Sequence, residues 1–131
     1  MITEDYVSFE TAKLLKEKDF NEACRMFYCK PHEGYLSNNR RDAWWNSDLR
    51  KDMTCTCPTL QMAMKWLREV HNLCIEPYRT ACGYLYTISK IWTGSEIYSD
   101  EFNGDDEDSG QWTTYEKAVE AAIKYSLENL I

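Results

Sequence analysis

A chain of 131 residues with 44% hydrophobic and 28% charged side chains is long enough to bury one core without disulfides or a metal, so a single domain over 1–131 is expected. Its 22 acidic against 15 basic residues give a net charge of −7, which argues against a dedicated nucleic-acid binder, whose footprint is basic. No run approaches the roughly 18 apolar residues of a membrane span, and Met1 to Tyr6 lacks the basic start and apolar stretch of a secretory signal, so a cytoplasmic protein away from the membrane is expected. In that compartment Cys24, Cys29, Cys55, Cys57, Cys74 and Cys82 read as free thiols.

Ser8 stands before Phe9 to Lys18, where Phe9, Ala12 and Leu15 recur at spacing three among charged residues; this predicts a short amphipathic helix capped by Ser8. Cys24 to Cys29 is bulky and closed by Pro31, and reads as a strand. Pro31 to Pro58 is polar and without period, and reads as mostly loop with a short helical or extended piece around Trp44 and Trp45. Thr59 then caps a helix from Leu60 to His71, with Leu60, Ala63, Leu67 and Val70 on one face. His71 would sit where a cation favours the helix dipole.

Leu73 to Tyr78 reads as a strand stopped or placed at an edge by Pro77. Alternation from Tyr84 to Trp92, the Thr93-Gly94 turn and Ile97-Tyr98 predict a hairpin. Asp100 to Gly110 is an acidic loop, and Thr113-Thr114 opens a helix from Tyr115 to Asn129, on which Glu120 and Lys124 are four apart in the favourable order. The expected class is α+β: a small antiparallel sheet of three to four strands with about three helices packed mainly on one face.

Three stretches, Tyr6 to Lys18, Pro58 to Asn72 and Thr114 to Ala122, resemble small uncharacterised phage-like proteins of prophages and mobile elements in gut bacteria of the Bacteroides group. Residues 30 to 57 match least. The resemblance implies a phage or mobile-element origin and brings no catalytic residue with it.

Asp105 to Glu116 places Asp105, Glu107 and Ser109 at positions 1, 3 and 5 of a twelve-residue loop, with Gly110 at 6 and Glu116 at 12. An EF-hand uses that spacing to wrap Ca²⁺. Position 3 is Glu, position 8 is Trp112, and Gly94 to Gly104 does not read as an entering helix, so a solvated acidic turn before a helix is the competing account. Arg40, Arg41, Trp44, Trp45, Arg50 and Lys51 combine basic and aromatic side chains as single-strand binders do. The same residue types anchor protein interfaces, and Asp42 and Asp48 dilute the basic patch. The cysteines and histidines lack zinc-site spacing, no nucleophile-and-base signature occurs, and no cofactor motif is present.

The sequence therefore predicts a non-enzymatic domain that binds another protein. Single-stranded nucleic acid at the Arg40–Lys51 segment and Ca²⁺ at Asp105–Glu116 are the alternatives. The charge is unevenly placed: residues 1–72 carry 11 basic and 11 acidic side chains and residues 73–131 carry 4 and 11, so the whole net charge lies in the C-terminal part.

Overall fold

The computed structural model describes residues 1–29, 35–37, 43–49, 54–99 and 112–131. Along the chain these form α1 (Phe9–Glu17), β1 (Met26–Cys29), β2 (Tyr35–Ser37), a 3-10 turn (Asn46–Asp48), β3 (Cys55–Cys57), α2 (Leu60–His71), β4 (Leu73–Arg79), β5 (Tyr84–Lys90), β6 (Glu96–Ser99) and α3 (Tyr115–Asn129). The class is α+β, as expected, and no helix among the described residues is long and apolar enough to cross a membrane.

Each helix starts where its cap residue predicts. The hydroxyl oxygens of Ser8, Thr59 and Thr114 accept from the backbone N–H of Thr11, Met62 and Lys117, satisfying one of the orphan donors of each first turn. α1 stops in a Schellman turn: Asp19 is left-handed (φ 65°), its N–H donates to Lys16 O and that of Phe20 donates to Leu15 O. The fully buried Phe20 and Leu15 supply the apolar contact that accompanies this turn. α2 ends on the left-handed Asn72 (φ 57°).

The strands divide between two antiparallel three-stranded sheets, ordered β2-β1-β3 and β4-β5-β6. Residues Pro31 to Pro58, expected to be mostly loop, supply β2 and β3 to the first. Three-residue strands are too short to show a period, and Cys55, Thr56 and Cys57 are all buried, so no alternation marks them. In the second sheet Leu73↔Lys90 through Arg79↔Tyr84 is regular, and Pro77 lies on the edge strand, where a missing N–H is tolerated. β5 ends at Lys90, and the turn to β6 is closed by Gly94, whose N–H donates to Lys90 O at a φ of +67°. Trp92, expected at the end of the strand, is in that turn.

Paired residues share a face, so Leu73, Ile75, Tyr86, Ile88 and Tyr98 point one way. α3 packs on that face across β4 and β5, and also meets α1 and α2. Ala118, Val119, Ala122, Ile123 and Leu127 of α3 are fully buried there. His71 lies in the last turn of α2, as expected. It packs edge-on against Trp66 at 4.7 Å, its Nε2 is buried without a partner, and burial together with nearby Lys18 pushes its pKa down. All six cysteines are free thiols. Burial pushes Cys24 and Cys55 up to about 11 and Cys57 up to about 12, the behaviour of inert core thiols.

Candidate functional site: a cleft beside the last helix

The site begins with residues 5–8, an extended segment ahead of α1. Val7 N–H donates to Pro58 O at 3.1 Å and Leu60 N–H donates to Asp5 O at 2.9 Å, so the segment runs antiparallel to the residues that open α2. Val7 is fully buried. Its carbonyl accepts from the Tyr28 hydroxyl at 2.8 Å and from the Cys57 thiol at 3.4 Å. That pins the segment to the first sheet, and burial raises the Tyr28 phenol well above its usual range. On the opposite side Trp112 forms a two-bond bridge with Tyr84, each N–H donating to the other's carbonyl at 2.8 Å, which fixes the start of α3 against the second sheet.

Between these walls lies a cleft of about 480 Å³, within the size range of ligand sites. Val7, Tyr28, Leu60 and Ala121 give it an apolar lining, Tyr6 and Trp112 add aromatic rings, and Asp5, Ser8, Glu116, Lys117, Glu120 and Lys124 complete the lining.

Glu120 does not pair with Lys124 as its spacing suggests. Its Oε1 accepts from the Ser8 N–H at 3.1 Å, from the Ser8 hydroxyl, and from the Thr11 hydroxyl at 2.6 Å. In a capping box the N3 side chain reaches back to the N-cap N–H. Here N3 is Thr11, too short for that reach, and a carboxylate from α3 takes its place across 112 residues of sequence. Glu120 Oε2 is buried without a hydrogen-bond partner. Lys124 instead donates to Glu10 Oε2 at 2.8 Å and lies 4.0 Å from Glu128. The hydrogen bond and charge of Lys124 hold the Glu10 carboxyl below its usual range.

Of the residues singled out in the sequence, Glu116 lies in the first turn of α3, exposed, at the rim of this cleft. Asp105, Glu107 and Ser109 lie outside the described residues, as do Arg40, Arg41, Arg50 and Lys51. Trp44 is half-buried, its ring 4.8 Å from that of Phe27, and it forms a bridge with Cys24 through hydrogen bonds of 2.8 and 2.7 Å. Trp45 is 37% exposed, so one tryptophan of the pair covers the fold and the other faces solvent. Among the described residues no group of three or more His, Cys, Asp or Glu could hold a metal ion.

The cleft residues come from the N-terminal segment, β1, α2 and the entry to α3. No local pattern joins them; the nearest sequence signal is Ala121, a small residue at a partly exposed helical position. No family model, curated protein or solved structure matches the chain.

Proposed function

We propose that the protein is a non-enzymatic interaction domain of the cytoplasm that receives a segment of a partner protein in the cleft between residues 5–8 and α3. The observation that carries this reading is the cleft itself: an apolar floor between two aromatic side chains, open to solvent, with charged groups at its rim. Interface cores favour aromatic and apolar side chains with a polar surround. The resemblance to small phage-like proteins adds a mobile-element origin to the proposal.

Ala121 is the place to test it, because a larger side chain there fills the cleft from an α3 position that is not part of the sealed core. A displayed random-peptide library is panned on the wild-type protein and on Ala121→Phe, with Ala121→Arg as a second blocking variant and far-UV circular dichroism to verify folding. Sequences enriched on the wild type are expected to lose enrichment on both folded variants. Equal enrichment on all three proteins would place any interaction elsewhere.

A further inference from the structure

The cleft continues past Asp5, Leu60 and Glu116 into a second hollow of about 320 Å³, which Glu4 and Tyr115 also line and to which no Lys or Arg among the described residues contributes. Among the described residues two cations line the first hollow, and one of them is paired with carboxylates. Lys124 is held by Glu10 and Glu128, and Lys117 Nζ donates to Thr113 Oγ1 at 3.2 Å. Among the described residues, by contrast, the carboxylates of Glu4, Asp5 and Glu116 form no ion pair, and all three residues are exposed. The groove thus has an apolar and aromatic lining and a rim on which, among the described residues, three exposed carboxylates, Glu4, Asp5 and Glu116, outnumber the one cation, Lys117, that has no carboxylate partner.

We infer that this groove selects a basic peptide segment of the partner protein, with an arginine or lysine held at the rim by Asp5 and Glu116 and a bulky apolar neighbour on the floor beside Ala121 and Leu60. The inference rests on the cleft being the binding surface and adds the chemistry of the occupant. A cationic side chain at the rim keeps most of its hydration while its aliphatic stem covers apolar surface. Tyr6 and Trp112 line the first hollow and Tyr115 the second, and an aromatic ring close to a cation adds attraction. An acidic peptide would meet the like charges of Glu4, Asp5 and Glu116, which gives discrimination by repulsion as well as by attraction.

The probes are three fluorescein-labelled, C-terminally amidated seven-residue peptides that carry arginine, glutamine or glutamate between two leucines. Their Kd values are read by fluorescence anisotropy at low salt. The arginine peptide is expected to bind about fivefold to tenfold more tightly than the glutamine peptide, the scale of two exposed charge pairs, and the glutamate peptide more weakly than both. The exposed double variant Asp5→Asn/Glu116→Gln should bring the arginine peptide to the level of the glutamine one. Raising salt from about 30 to about 300 mM should narrow the same gap. Equal affinity for all three peptides, blocked by Ala121→Phe, overturns the charge selection and leaves the cleft as the binding surface. Binding that ignores Ala121→Phe, or no binding of any peptide, overturns both.

Discussion

Glu120→Ala is expected to destabilise the fold by about 3 kcal/mol, lowering the midpoint of thermal unfolding by about 10 °C for a chain of this size. Three donors converge on Glu120 Oε1, and one of them belongs to the fully buried Thr11. Removing the carboxylate leaves the Thr11 hydroxyl without its acceptor in the interior and uncaps the Ser8 N–H. Hydrogen bonds to a charged acceptor contribute about 1.5–3 kcal/mol, and loss of a helix cap about 1. Ser8 can turn to water, and the unpartnered Oε2 disappears with the side chain, so the effects do not simply add. Glu120→Gln keeps an acceptor oxygen in place and should cost less than half as much. Thermal melts followed by circular dichroism decide the matter, and a shift of less than about 2 °C for the alanine variant would show that the carboxylate does not tie α1 to α3.

An effect of similar size is expected at Asn46, which does not line the cleft. Its Nδ2 donates to Phe20 O at 2.7 Å and its Oδ1 accepts from Thr56 N–H at 2.9 Å, both in buried surroundings. The side chain therefore joins the turn after α1 to the edge of β3 and satisfies an N–H of that edge strand. Lys16 assists from α1, donating to Leu49 O at 2.7 Å and Thr54 O at 2.6 Å. Asn46→Ala leaves a carbonyl and an N–H buried and unpaired, each costing about 1–3 kcal/mol, so a loss of about 3 kcal/mol is expected in urea unfolding. Asn46→Asp retains the acceptor but loses the donor to Phe20 O, and should fall between the two. An alanine variant within about 0.5 kcal/mol of wild type would show that this segment is not held through Asn46.

What the sequence made legible follows from how local each signal is. The three helices and their caps were readable because Ser8, Thr59 and Thr114 bond to N–H groups three residues away. The hairpin was readable from Gly94 and the alternation of β5. β2 and β3 were not, since each is three residues long and is defined by pairing with β1. Nor could local charge spacing foresee Glu120: the pairing with Lys124 is favourable in an isolated helix, but the Ser8 amide and the Ser8 and Thr11 hydroxyls offer the carboxylate stronger partners. The cleft was invisible for the same reason. Asp5, Tyr28, Leu60, Trp112 and Ala121 meet only after the N-terminal segment has paired with the start of α2 and Trp112 with Tyr84. Glu116 was singled out as a Ca²⁺ ligand on spacing, and it lies exposed at the cleft rim.

The protein's five tryptophans give five indole N–H resonances, and their environments separate the possible binding surfaces. Trp112 lines the cleft. Trp92 is 83% exposed in the β5–β6 turn, its Nε1 donating to Asn72 Oδ1 at 3.0 Å, with exposed Ile91 beside it in the chain. Trp45 marks the segment that follows Trp44. Titrating ¹⁵N-labelled protein with the arginine–leucine peptide is predicted to move the Trp112 indole resonance and the backbone amides of residues 5–8 and 116–124, leaving the Trp45 and Trp92 indoles unmoved. Saturable shifts at Trp92 or Trp45 with Trp112 unchanged would contradict the assignment of the cleft as the binding surface.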